Sequence, residues 1–255
     1  MSGIQKKWLL ISLLFIMPVS IVFSEEAPEH FYNAPENINS NPDFVPGDYP
    51  IPDTHAAKTV YELKKSELAK QEFVEDGHHV FAIGAGEIKF SVVKNETANV
   101  IGYFRNYAAV GTIGDEGPTR FDLVIDLNSL DSGVPGRDYR IQSLFFQSAK
   151  PESAIALISF DRVNLGGLSR VELEDGNTHQ ILAQGTLVLN GVSQLISASL
   201  NVTKKSGTWA VETISPIQLL ISNFGLSDRV IELMKACNHK SIGNAVDVTI
   251  KFYLR

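Results

Sequence analysis

An antiparallel β-barrel, mainly β with few helices, is the fold this sequence predicts. Three observations predict it. From His78 onward apolar residues recur at every second position, the period of a half-buried strand. Turn chemistry interrupts that period at short intervals, most plainly at Asn190-Gly191, two residues that accept the positive φ of a type I′ hairpin. The strands so marked are long and follow one another as hairpins, and closure into a barrel removes their exposed edges.

The segments before the barrel read differently. Lys6-Lys7 and the apolar run "WLLISLLFIM" give residues 1–24 the form of a signal peptide cleaved near Ser24-Glu25. The run is short for a membrane span of ~20 residues, and no basic residues follow it. Residues 25–77 form an N-terminal arm and helix. The arm, 25–53, is rich in Pro, Asn and acid and has no period, so it is expected to be extended and docked only through Phe31, Tyr32, Phe44 and Tyr49. A helix follows over 54–73, with Thr54 as N-cap and Val60, Leu63 and Leu68 as a partial apolar stripe.

The barrel domain occupies 78–255. Ile88, Phe90 and Val92 share one strand face. Phe121, Leu123, Ile125 and Leu127 share another, with Asp122 and Asp126 opposite, on an expected solvated exterior. Val246, Val248, Ile250, Phe252 and Leu254 line the inner side of the last strand. A helix near 226–238, with Ser227 as N-cap, interrupts the last two strands. Its face of Val230, Leu233, Met234 and Cys237 makes the cysteine an expected buried hydrophobe.

The corner "IDLNSLDSGVPGRDYRIQSLFFQS", residues 125–148, is the least regular part of the domain. Gly133, Pro135 and Gly136 end the strand, and a short helix runs from Arg137-Asp138 to Phe145-Phe146. Arg137 and Asp138 are expected to pair or cap the corner, and the aromatic pair to plug the barrel end.

Several function classes find no support. The net charge of −7 gives no attraction to nucleic acid or anionic lipid, and loss of Lys6 and Lys7 would make it more negative. One cysteine permits no intrachain disulfide. His78 and His79 point to opposite strand faces and cannot grip one metal together, while His179 begins a separate strand. "GAGEIK" lacks the third glycine of a dinucleotide loop, and "GGLSR" lacks the second glycine of a nucleophile elbow. No catalytic residue, metal site or cofactor is expected.

Order and spacing carry a resemblance. "DLNSLDSG…RDYRIQSLFF…ALISFDRV…AQGTLVLNGVSQLISASLNV" and the tail "LLISNFGL…LMKACNHKSIGNAVDVTIKFYL" resemble the YceI-like family of secreted lipid-binding proteins over about residues 78–255. The Gly-x-Leu-x-x-x-Gly pattern falls on Gly185, Leu187 and Gly191. The sequence departs at Gly86-Glu87, where the family has His-Ser, at "KPESAIAL", and in the added 25–77 segment. The resemblance implies a lipocalin-like barrel, export to the periplasm, frequent homodimerisation, and binding of a polyisoprenoid, isoprenoid quinone or fatty-acid-like chain. Such a ligand stands where a cofactor would, and any membrane contact would be transient.

On this reading the protein is a non-enzymatic carrier or store of an apolar chain. The expected channel lining is Ile88, Phe90, Phe104, Phe121, Leu123, Ile125, Phe145, Phe146, Phe160, Leu187 and Ile196. The alternative is a ligand-free envelope module with a filled barrel and a partner-binding arm, because strand period is the same in filled and hollow barrels. Export makes a first prediction. N-terminal sequencing of protein from the cell envelope should return a chain that begins near Glu25. An intact Met1 on membrane-bound protein would refute it.

Overall fold

The computed structural model describes residues 54–70, 78–83, 86–114, 117–166, 176–237 and 239–254. The expected signal peptide, cleavage point and arm lie outside these residues, as does the serine of "GGLSR". Helix α1 (His55–Lys70) precedes the strands β1 (His78–Ile83), β2 (Gly86–Lys94), β3 (Ala98–Phe104), β4 (Tyr107–Gly114) and β5 (Gly117–Asp126). A two-residue β6 (Leu130–Asp131), helix α2 (Pro135–Arg140) and a π-helical turn (Ile141–Phe146) form the corner. Then come β7 (Ile155–Asn164), β8 (Thr178–Leu189), β9 (Val192–Lys205), β10 (Thr208–Thr213) and β11 (Ile217–Leu220). A 3₁₀ turn (Ile221–Phe224), α3 (Ser227–Cys237) and β12 (Ile242–Leu254) complete the chain.

All strands belong to one antiparallel sheet in the order β1-β4-β5-β7-β8-β9-β10-β12-β2-β3-β6, with β11 paired to β12. The sheet curls until β1 and β4 lie against β12, giving the lipocalin-like barrel. The expected hairpin forms: Asn190 (φ 53°) and Gly191 (φ 72°) join β8 to β9 with Leu189 opposite Val192. Gly185 explains its own presence in the sequence pattern. It sits opposite Phe160, where the β7–β8 register shifts, and a Cβ there would overlap the Ser159 carbonyl.

One half of the interior is packed solid. Phe121, Phe160, Phe252, Leu254, Val202 and Val211 are all almost completely buried there. Phe121 and Phe252 meet edge to face with centroids 5.8 Å apart.

Helix α1 lies on the outer wall and not across a barrel mouth. Ala57 and Tyr61 are buried, and Tyr61 packs on Ala108 and Val124, with Leu68 alongside. This corrects two expectations. Leu63 is 59% exposed, because the docking face runs through Ala57, Tyr61 and Leu68. Asp122 and Asp126 are buried, at 7% and 6% exposure, and not on a solvated exterior, because α1 helps to cover the outside of β5. Each carboxylate is satisfied: Asp122 accepts from Arg120 Nη2 at 2.9 Å, and Asp126 accepts from Asn128 N at 2.9 Å.

The Gly185 contact yields the second prediction. Gly185→Ala should lower unfolding stability by about 1–3 kcal/mol or more, since neither backbone can yield without breaking the ladder. A denaturation midpoint equal to wild type would contradict it.

Candidate functional site

At the other end the barrel is hollow. A cavity of about 150 Å³ lies between the strands and a helical roof. Its walls include Ile88, Phe90 and Val92 of β2, Phe104 of β3, Ile125 of β5, Ala156 and Ile158 of β7, Leu187 and Leu189 of β8, and Val246 and Val248 of β12. Its roof is Ile141, Phe145 and Phe146 of the π-helical turn, Ile221 and Phe224 of the 3₁₀ turn, and Val230 and Leu233 of α3. Every lining residue is apolar.

Aromatic rings form a continuous side. Phe90 and Phe104 lie 5.6 Å apart, Phe104 and Phe146 6.1 Å, and Phe145 and Phe146 4.9 Å. Gly102 makes room for this stack, because the Phe90 ring occupies the space a Cβ would need. The π-helical turn presents half-buried residues along its whole length, so Phe145 and Phe146 are cavity wall as well as plug.

Polar groups hold the roof from outside the cavity. Ser148, fully buried, donates to Asn128 Oδ1 at 2.6 Å, and Gln142 Nε2 donates to the Asn128 carbonyl at 2.9 Å. Arg229 of α3 donates from Nη1 to the carbonyls of Phe145 (3.2 Å) and Phe146 (3.1 Å). Arg137 and Asp138 do not form the direct pair that the sequence allowed. Both grip Ser132: Arg137 donates to its carbonyl at 2.7 Å, and Ser132 N donates to Asp138 Oδ1 at 3.0 Å. Cys237 is half-buried and not core, and it accepts from Arg140 Nη1 at 3.5 Å.

The structure sorts the expected lining residues by depth. Ile88, Phe90, Phe104, Ile125, Phe145, Phe146 and Leu187 converge on the cavity. Phe121, Leu123 and Phe160 lie in the packed core and are absent from the cavity wall. Ile196 is half-buried on β9, against the core and away from the cavity. A tunnel along the whole barrel is therefore corrected to a chamber at one end. The packed rings of Phe121, Phe160 and Phe252 fill the rest. The roof residues Ile221, Phe224, Val230 and Leu233 were missed as lining. The face of Val230 and Leu233 was legible, but the 3₁₀ turn at "ISNF" carries no period.

Among the described residues no group of His, Cys, Asp or Glu is placed to hold a metal ion, and no helix is long and apolar enough to cross a membrane. Tyr107 Oη, Asp138 Oδ2 and His179 Nε2 are buried without a hydrogen-bond partner.

Burial pushes the Asp138 carboxyl up from 3.8 to about 6, against the pull of the Ser132 hydrogen bonds. A raised acid stabilises the fold fully below its unfolded pKa and loses that contribution as pH rises through the folded value. Asp138→Asn keeps the acceptor for Ser132 and removes the buried charge. The variant should therefore lose part of the wild-type fall in stability between pH 4 and 6, and should be at least as stable as wild type at pH 7. Urea midpoints measured across that range check it, and an unchanged slope would be evidence against a raised Asp138.

Comparison with known proteins gives concordant results. A family model for the YceI-like domain matches residues 81–254. No curated protein matches in sequence. Among solved structures, the chain is similar to a polyisoprenoid binding domain from Saccharophagus degradans implicated in plant cell wall breakdown, at 23% identity and a TM-score of 0.59, covering 69% of this chain and 97% of that one. It is also similar to BcnA from Burkholderia cenocepacia, at 13% identity and a TM-score of 0.52, covering 66% and 95%. At these identities the likeness shows the fold.

Proposed function

The chain belongs to the YceI-like family, and from that premise we propose that it is a non-enzymatic binding protein for an apolar chain. The observation that carries this reading is the cavity whose every lining side chain is apolar. An apolar void of about this size stays dry and accepts an apolar guest. Burial of apolar surface contributes about 25 cal/mol per Å², so a hydrocarbon chain needs no charged contact to be held. The relative that binds polyisoprenoid supports the same chemistry. A full isoprenoid, quinone tail or acyl chain exceeds the chamber. Its remaining length must leave past the helical roof. In this reading the protein works in the periplasm, exported by the leader, and carries or stores the chain between membranes.

Position along the barrel separates two substitutions. Ala156 lines the chamber and Leu123 lies in the packed half. Ala156→Phe should fold with a melting temperature no lower than that of delipidated wild type and lose the lipid that organic extraction recovers from wild type. Leu123→Trp should cost typically ~1–3 kcal/mol by overpacking. Mass spectrometry of extracts and thermal melts read both. A wild type without extractable lipid that also fails to take up an acyl or isoprenoid chain would sink the proposal.

A further inference from the structure

The step from hollow to packed falls between neighbouring rungs of the barrel. On β5 and β7, Ile125 pairs with Ala156, Leu123 with Ile158 and Phe121 with Phe160. Ile125, Ala156 and Ile158 line the chamber, whereas Leu123, Phe121 and Phe160 do not. The wall built by β12 and β2 breaks in the same way. Val248 and Phe90 pair and both line the chamber, Ile250 pairs with Ile88 and only Ile88 lines it, and Phe252 pairs with Gly86 where neither does. Along both β5 and β12, therefore, the inward order is a chamber residue, one aliphatic residue outside it, then a phenylalanine. The aliphatic residues, Leu123 and Ile250, are 1% and 2% exposed. The phenylalanines that follow them, Phe121 and Phe252, touch edge to face with centroids 5.8 Å apart. The two strands thus close on each other directly behind Leu123 and Ile250.

A chain that passes the roof meets a dead end there. The chamber, at about 150 Å³, has the volume that one benzene molecule fills, about six carbon atoms. Every lining residue is apolar, so a hydroxyl, carbonyl or charged group placed inside would lose its water and find no partner. A dead-ended apolar chamber of this size takes the end of a hydrocarbon chain and neither its middle nor its head.

We propose that Leu123 and Ile250 are the floor of the site and make it a gauge of the chain terminus: it holds the last carbons of an apolar chain, about six, and is indifferent to the length and head group beyond. One terminal isoprene unit and the end of a straight acyl chain both satisfy it. A chain with a polar group near its end does not. This rests on the binding function proposed above and specifies which part of the ligand the protein reads.

The test titrates delipidated full-length protein with the 1-alkanols from butanol to dodecanol, each below its solubility limit, by chemical-shift changes for the short members and calorimetry for the long ones. Affinity should rise about fourfold with each methylene until the chamber is full, at about six carbons, and by less than about twofold with each one after. 1,12-Dodecanediol should bind at least about tenfold more weakly than 1-dodecanol, because a hydroxyl must enter whichever end leads. Leu123→Ala removes three carbons from the floor and should move the break in the series to chains about three methylenes longer. If that variant does not fold, Ile250→Val removes one carbon and should move the break by about one. Leu200→Ala opens space deeper in the packed half, where Leu200 pairs with Ile181, and should leave the break in place. Affinity that keeps rising evenly to dodecanol overturns the gauge but leaves apolar-chain binding intact. So does a diol that binds as well as dodecanol, a break that stays fixed in a folded floor variant, or one that moves equally in Leu200→Ala. Failure of every alcohol to bind overturns both.

Discussion

Arg229 donates one Nη1 to two carbonyls, those of Phe145 and Phe146, and the closed form of the chamber depends on that contact. Carbonyls in the last turn of any helix lack partners within it. Here the π-helical turn ends at Gln147 in the left-handed region (φ 53°), and an arginine from another element supplies the missing donor. Two half-buried elements, α3 and the π-helical turn, are joined as one roof. Of these two elements only Leu233 of α3 is buried and no residue of the π-helical turn is, whereas the 3₁₀ turn beside them contributes the buried Ile221 and Phe224. Few buried contacts make α3 and the π-helical turn, more than the 3₁₀ turn, the low-stability part of the roof.

The same strand alternation builds both halves of the barrel, so what divides them is side-chain volume and what closes each end. In the packed half, Phe121 and Phe160 stand side by side on the paired strands β5 and β7, and Phe252 of β12 meets Phe121 from across the interior. In the chamber half, the rings of Phe90, Phe104, Phe145 and Phe146 stand side by side along one wall. Smaller residues complete the lining, among them Ala156 of β7 and Val248, the ladder partner of Phe90. Edge and offset ring contacts stabilise the wall itself.

Much of the barrel was legible because its signals are local. Asn190-Gly191 fixes a hairpin by its own φ preferences, and the inward faces of β2, β5 and β12 follow from a period of two. Depth along the barrel axis has no such signature. Phe121 and Ile125 share a face of one strand, yet one lies in the packed half and the other in the chamber. Nor does period reveal a second layer. Asp122 and Asp126 alternate correctly with the core residues and are still buried, because α1 covers the outer face of their strand.

A hollow apolar chamber raises the question of why it does not collapse. At about 24 cal/mol per Å³ of residual volume, a cavity of 150 Å³ costs roughly 3–4 kcal/mol. A flexible roof would sink to fill it. The polar corner prevents that. Ser148, Asn128 and Gln142 tie the π-helical turn to the end of β5 by hydrogen bonds of definite direction, and sinking would break bonds whose buried partners could find no replacement. The corner therefore trades stability for shape. A bound chain restores the missing contacts without moving the roof, so the liganded protein regains the packing energy that the rigid corner withholds from the free one.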